Sequence, residues 1–250
     1  MRSYGVLERF KSSLSALVSG FWLAALTRDQ MNSITEAIYG KVDFYKTDEY
    51  NRKGLYDWER KATQEHFSHC RSILVAGTGG GREVLALRRL GWAADGFESH
   101  PDFVRFANEL LEKEGLVPDI REAPWDGTPD YDRTYDGVIV GWGVYMHIRG
   151  RDRRVRFLNS LRQRMDAGGP ILLSFFSAPM ENRTLRLTAR VGNAVGRILH
   201  RERVEPGDSM GPDYVHYFSR EDLDQEMADA GFRMVSYESL EHPYAVGEAV

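Results

Sequence analysis

Residues 72–90 read SILVAGTGGGREVLALRRL, and the order of residue types in this stretch decides the fold. A short apolar run (Ile73, Leu74, Val75, Ala76) halts at glycines, as a fully buried parallel strand does. Gly77, Thr78, Gly79, Gly80 and Gly81 then form a loop with almost no side-chain bulk. Residues 82–90 continue as a helix, and Gly91 ends it. Residues 93–97 make a second strand, closed by Glu98, 17 positions beyond Gly81. In this layout a backbone can lie against a nucleotide-type ligand while a carboxylate accepts from both ribose hydroxyls. A tight strand-to-helix turn would use the same glycines, so the meaning comes from the context.

Outward from this stretch the alternation continues. Residues 101–114 form a helix with Phe103, Phe106, Leu110 and Leu111 on one side. Residues 119–123 are a weak third strand, 137–140 a fourth, 153–165 a helix and 171–176 a fifth strand. Residues 183–200 read as a helix outside the simple alternation. Residues 219–230 form another, with Ser219 as N-cap and Gly231 as terminator. Residues 232–238 and 244–249 come last, as a final antiparallel pair. Upstream, Leu7, Phe10, Leu14, Leu17 and Phe21 give residues 6–40 a helical period, and residues 39–59 are rich in aromatic rings. Buried strands alternating with helices mean a doubly wound sheet, and right-handed crossovers gather the loops after strands one, two and four on one edge.

Composition narrows the class. The chain has 250 residues, 42% hydrophobic and 28% charged, which sets aside disordered, collagen-like and coiled-coil classes. Its one cysteine, Cys70, has no disulfide partner, and no Cys/His cluster has zinc spacing, so no metal and a cytoplasmic setting are expected. The apolar run 14–26 rises only about 20 Å as a helix, short of a bilayer core of roughly 30 Å. A packing or lid helix is its first reading, and peripheral membrane contact its second. Residues 148–203 hold 13 Arg, no Lys and 4 acids, net +9, against −13 for the remainder. That asymmetry hints at an anionic partner.

The loop separates two cofactor classes. A dinucleotide fold needs G-x-G-x-x-G so that a helix N-terminus faces a pyrophosphate, and here the third glycine would fall on Arg82. The segments ILVAGTGGGREVLAL (73–87), DGFE (95–98), YDGVIVGWGVYMHI (135–148) and the ending AGFRMVSYES…YAVGEA resemble the class I S-adenosylmethionine-dependent methyltransferases, over roughly residues 70–250. The resemblance implies that Gly77, Thr78 and Gly79 lie against the cofactor's methionine and ribose, and that Glu98 holds the ribose hydroxyls. It further implies that Trp125 and Asp126 meet the adenine, and that Gly141 and Trp142 line the methionine end. Val75 departs from the family, which often carries an acid two places before the first glycine. The carbonyls of Gly77 or Gly141, or the carboxylate of Glu83, could then serve the cofactor's amino group.

The expected fold is α/β, a doubly wound seven-stranded methyltransferase sheet with a terminal antiparallel strand. Residues 1–68 would form an N-terminal helical and aromatic lid. Residues 69–250 would form the S-adenosylmethionine-binding domain, with a substrate-side helical insertion at 177–216. Methyl transfer needs alignment and, for hydroxyl or ammonium acceptors, a base. His147, just past strand four, and His216 are the base candidates, each with a plain structural alternative. Tyr45, Tyr145 and Tyr214 are the substrate-side candidates: Tyr45 in an aromatic lid whose faces attract a sulfonium, Tyr145 shaping the pocket, and Tyr214 in a segment that would close over it.

The insertion carries Arg183, Arg186, Arg190, Arg197 and Arg201 at helical spacing, with Leu187, Val191, Ala194 and Ile198 on another face. Usually such a stripe is a solvated face, though arginine can also grip a carboxylate or phosphate. The expected activity is O- or N-methylation of a small metabolite, anionic ones included. A macromolecular substrate docked on the Arg-rich face and a non-catalytic S-adenosylmethionine-binding partner protein are the alternatives. Nucleic acid is not expected, and neither the acceptor nor the oligomeric state is legible.

Overall fold

The structure, a computed structural model, describes residues 2–178 and 183–250, with side chains from Lys11 onward. Leu7 and Phe10 of the N-terminal stripe, and residues 179–182 of the expected insertion, therefore lie outside the described side chains. The elements run α1 (Arg2–Ala25), α2 (Arg28–Tyr39), a 3-10 turn (Asp43–Lys46), α3 (Asp48–Asn51), α4 (Asp57–His66), β1 (Ser72–Ala76), α5 (Arg82–Arg89) and β2 (Ala93–Glu98). They continue α6 (Pro101–Lys113), β3 (Arg121–Glu122), β4 (Gly137–Val140), a second 3-10 turn (Tyr145–His147), α7 (Arg151–Arg162), β5 (Pro170–Ser174) and β6 (Phe176–Ser177). The last are α8 (Arg183–Leu199), β7 (Asp208–Met210), β8 (Tyr214–Phe218), α9 (Arg220–Asp229), β9 (Phe232–Glu238) and β10 (Tyr244–Ala249).

Two compact units result, residues 39–175 with 220–250, and residues 1–38 with 176–219. The boundary expected at residue 68 falls inside the first of these. The physical reason is that Leu55, Trp58, Ala62 and Phe67 are buried in the same apolar core as β1 and α5.

The first unit is a seven-stranded sheet in the order β3-β2-β1-β4-β5-β10-β9. β10 runs antiparallel between β5 and β9, while the β1–β2, β1–β4, β4–β5 and β2–β3 pairs are parallel. β1 is buried on both faces from Ile73 to Ala76, which explains its unbroken apolar run. Ala76 pairs in register with Phe97 and with Val140, so Gly77, Glu98 and Gly141 come side by side at the carboxyl ends of their strands.

The expected strand 119–123 shrinks to two residues. Asn108 explains this, because its side-chain amide takes both the N–H (2.9 Å) and the carbonyl (3.0 Å) of Ile120. The fifth strand ends at Ser174, since Phe175 donates its N–H to Pro243 and the chain then enters a different sheet.

The second unit pairs α1 with α8 and adds a three-stranded sheet, β6-β8-β7. The hairpin of β7 and β8 was not expected. The helical reading over 6–40 breaks at Thr27, whose hydroxyl accepts from the Gln30 N–H while Gln30 accepts from the Thr27 N–H, a reciprocal cap that starts α2. On α8 the buried stripe is Leu185, Thr188, Ala189, Gly192 and Gly196, not the expected Leu187, Val191, Ala194 and Ile198. Small residues win because α1 comes close: a Cβ on Gly20 would lie 2.6 Å from the Thr188 carbonyl. Arg183, Arg186, Arg190, Arg197 and Arg201 are solvent-exposed. On α1, Ala16, Leu23 and Ala24 are buried, while Leu14, Leu17, Phe21 and Trp22 stay about half exposed. Among the described residues no helix is long and apolar enough to cross a membrane.

Candidate functional site

The glycine loop sits at the carboxyl edge of the sheet, held by its own backbone. Gly77 and Thr78 donate their N–H groups to the Phe97 carbonyl, at 2.8 and 3.1 Å, and Gly141 donates to the Ala76 carbonyl at 2.8 Å. Gly77, Gly79 and Gly81 have φ of +72°, +51° and +93°, a region costly for side-chain-bearing residues. Glu98 is buried at the end of β2. Its Oε2 accepts from the Gly79 N–H at 2.8 Å, and its Oε1 from the N–H groups of Ser99 (2.7 Å) and His100 (3.1 Å). Loop and acid expected to share a ligand are thus joined directly by a hydrogen bond.

Beside the loop lies a cavity of ≈ 430 Å³. Gly77, Thr78, Gly79 and Gly80 form its floor, and Tyr39, Tyr45, Tyr50, Tyr56, Trp58 and Trp142 its aromatic walls. Asn51, Arg82, Glu83 and His242 supply the remaining polar lining. The aromatic segment is a connected set, with Tyr39–Tyr45 at 5.8 Å, Tyr45–Tyr50 at 5.1 Å and the Tyr50 and Tyr56 hydroxyls 2.8 Å apart. Tyr39 also stacks on Phe103 at 4.4 Å, and a Cβ on Gly79 would meet its hydroxyl at 3.0 Å. Burial, then the nearby Glu98 and Glu83 charges, hold the Tyr39 phenol well above its ordinary pKa, so it stays neutral.

The charged part of the lining is a buried cluster. Arg82 donates bidentately to Glu59 (2.7 and 2.7 Å), reaches Glu83 at 2.5 Å and lies 4.0 Å over the Tyr56 ring. Burial pushes the Glu83 carboxyl up to about 7; Arg82 opposes that shift, while Glu59 and Glu98 add to it.

Of the residues named from sequence, Gly77, Thr78, Gly79, Trp142 and Tyr45 line the cavity, and Glu98 and Gly141 adjoin its loop. Trp125 and Asp126 lie in the turn after β3, half-buried and exposed respectively, and outside this cavity. Tyr145 is fully buried away from the cavity, its hydroxyl 2.5 Å from Glu226, which also pairs with Arg154 at 2.6 Å. His147 is half-buried, with Nδ1 on the Gly143 carbonyl, and does not line the cavity.

His216 and Tyr214 belong to the other unit, where both are buried against Asp208, at 2.7 and 2.8 Å. Burial would raise Asp208, but the His216 hydrogen bond and charge outweigh it and hold this carboxyl below its usual range. Glu205, Asp208 and His216 cluster closely. Asp208 already accepts from His216, Tyr214 and the Glu205 N–H, which accounts for the cluster as a hydrogen-bonded network.

Sequence reasoning missed Asn51, Tyr56, Trp58 and His242 as lining residues. His242 lies between β9 and β10, where it stacks on Trp58 at 6.5 Å and meets Trp142 edge-on at 6.1 Å. The alternating β9–β10 pattern marked that turn, but nothing in it marked the histidine as facing a cavity.

No family model matches the chain, and no curated protein sequence does. Solved structures do match. CalS10, an amino pentose methyltransferase from Micromonospora echinaspora, superposes at TM-score 0.57 and 14% identity, covering 83% of this chain and 97% of its own. An S-adenosylmethionine-dependent methyltransferase from Clostridium acetobutylicum gives 0.59 at 12% identity, covering 85% and 94%. The sugar N-methyltransferase KedS8 from Streptoalloteichus gives 0.56 at 16%, covering 77% and 85%. The chain has the α/β fold of the class I S-adenosylmethionine-dependent methyltransferases.

Proposed function

We propose that the chain is an S-adenosylmethionine-dependent methyltransferase of a small-molecule acceptor. The observation that carries this is the Gly79–Glu98 hydrogen bond in its setting, a glycine loop and acid on the carboxyl edge of a sheet with antiparallel β10. The residues fit the cofactor. Glu98 has a buried carboxylate for the ribose, the loop offers backbone without bulk, and the tyrosine walls suit a sulfonium. When bound, the cofactor supplies an electrophilic methyl group.

The chain's own work is to align the acceptor, exclude water with the aromatic walls and receive a proton where the acceptor loses one. His242 is the candidate for that last role, since among the described residues it is the histidine on the cavity wall. The sugar and natural-product methyltransferases among the structural neighbours, together with the cavity's size, support a small acceptor over a docked macromolecule.

The test is incubation of the purified protein with labelled S-adenosylmethionine and a fractionated metabolite extract, followed by mass spectrometry. The expected result is the demethylated cofactor together with an acceptor heavier by one methyl group. With that acceptor, His242→Ala should lower kcat by about a hundredfold while cofactor affinity is kept. No turnover with tight cofactor binding would leave the non-catalytic reading standing instead.

A further inference from the structure

Two carboxylates, Glu59 and Glu83, share the single guanidinium of Arg82, and all three side chains are at most 7% exposed. Arg82 spends its fork on Glu59 and reaches Glu83 with one contact. The cluster is therefore one positive charge short, and buried charge without a counter-charge is costly. Glu83 is the carboxylate of the pair that lines the cavity.

An independent feature lies in the same lining. Asn51 is fully buried, and its Nδ2 donates to the carbonyls of Tyr45 (2.7 Å) and Thr47 (2.9 Å). Those two bonds settle the amide's orientation, because the reversed amide would set oxygen against oxygen. Its Oδ1 is consequently a buried acceptor with no hydrogen-bond donor among the described residues. A carboxylate that has only a share of Arg82, an amide oxygen lacking a donor and the faces of Tyr45, Tyr50 and Tyr56 all call for one chemical group, a cation with several N–H donors.

Resting on the methyltransferase reading, we infer that Glu83 and Asn51 form a site for a primary alkylammonium group, the α-ammonium of S-adenosylmethionine. Glu83 would replace the acid that Val75 does not supply. The groups facing Glu83 are Arg82 on its own helix, Glu59 from α4, Glu98 from β2, Tyr50 from α3 and Tyr39 from α2. Among these, Arg82 is the cation and is already shared.

The experiment is calorimetric titration of the full chain and of Glu83→Gln with S-adenosylmethionine, with S-adenosylhomocysteine, which keeps the ammonium without the sulfonium charge, and with 5′-methylthioadenosine, which lacks both. Glu83→Gln should weaken S-adenosylmethionine and S-adenosylhomocysteine alike by about tenfold or more and leave 5′-methylthioadenosine unchanged. Since burial holds the Glu83 carboxyl well above its ordinary range, binding the ammonium near neutral pH should also release protons. Titrations in two buffers of different ionisation enthalpy read that release, which should vanish for Glu83→Gln and for 5′-methylthioadenosine.

Loss for S-adenosylmethionine alone, equal loss for all three ligands, or no loss for any with no proton release, overturns the assignment. Should the unsubstituted chain bind none of them, the methyltransferase reading itself fails. The wild-type proton release tests Glu83 even if the variant folds poorly.

Discussion

Two buried ionic clusters in the sheet unit look alike in composition and differ in charge balance. In one, Arg154 and Glu226 pair at 2.6 and 3.0 Å, and Tyr145 closes the remaining side with its hydroxyl at 2.5 Å. Among the described residues, the Arg154 guanidinium grips the Glu226 carboxylate, and the group joins α7 to α9. In the other, Glu59 and Glu83 divide one arginine beside a cavity. In the balanced cluster both oxygens of Glu226 are met by Arg154. The unbalanced one keeps a buried carboxylate whose pKa is lifted to about 7, the signature of a site that awaits a cation or a proton.

The difference can be broken most forcibly at the balanced cluster. Glu226→Gln removes the buried carboxylate charge that Arg154 grips at 2.6 and 3.0 Å and should cost about 3–5 kcal/mol, read as a lowered urea midpoint. A smaller effect is expected at the seam between the loop and the aromatic wall. A Cβ on Gly80 would sit 2.4 Å from the Tyr45 carbonyl and 2.7 Å from Asn51 Oδ1, so Gly80→Ala should cost about 1–3 kcal/mol. It should also weaken cofactor binding by displacing Asn51.

The smallest change in neutral stability is expected at Glu83, where Gln leaves Arg82 fully paired with Glu59. Its mark is instead in the pH dependence. Glu83 titrates near 7 in the folded chain against about 4.5 for an ordinary glutamate, so the folded state binds the extra proton. That contribution to stability is full below about 4.5 and lost as pH rises through about 7. Glu83→Gln should flatten this decline in urea melts taken from pH 5 to 8. An unchanged slope would place the unbalanced charge elsewhere.

The two units were unequally legible. In the sheet unit, apolar runs that stop at Gly77 and Gly141 announce both strands and the edge where they end, because burial on both faces disfavours polar residues there, and β2 keeps one, Asp95, on the Tyr135 hydroxyl. β10 was readable for the same reason, and β9 from a half-buried alternation. In the other unit, helix pairing relies on Gly20, Gly192 and Gly196, whose lack of side chain gives no periodic apolar signal, and the expected stripe was rotated in consequence. His216 and Tyr214 were drawn to the site by residue type alone, and burial on Asp208 is invisible to spacing. Within the site, the glycines and Glu98 were read from local order. Asn51, Trp58 and His242 come from distant segments, and only the fold brings them to one wall.

Everything proposed for the site depends on the Gly77–Gly81 loop and Glu98 together holding S-adenosylmethionine. Titrating the cofactor into the wild-type chain and into Glu98→Ala tests this without knowledge of the acceptor. One site per chain is expected in the wild type, with a loss of about 1–3 kcal/mol in the variant, which strips a charged partner from the ribose. Equal affinity in the two proteins, or no binding by either, would contradict it.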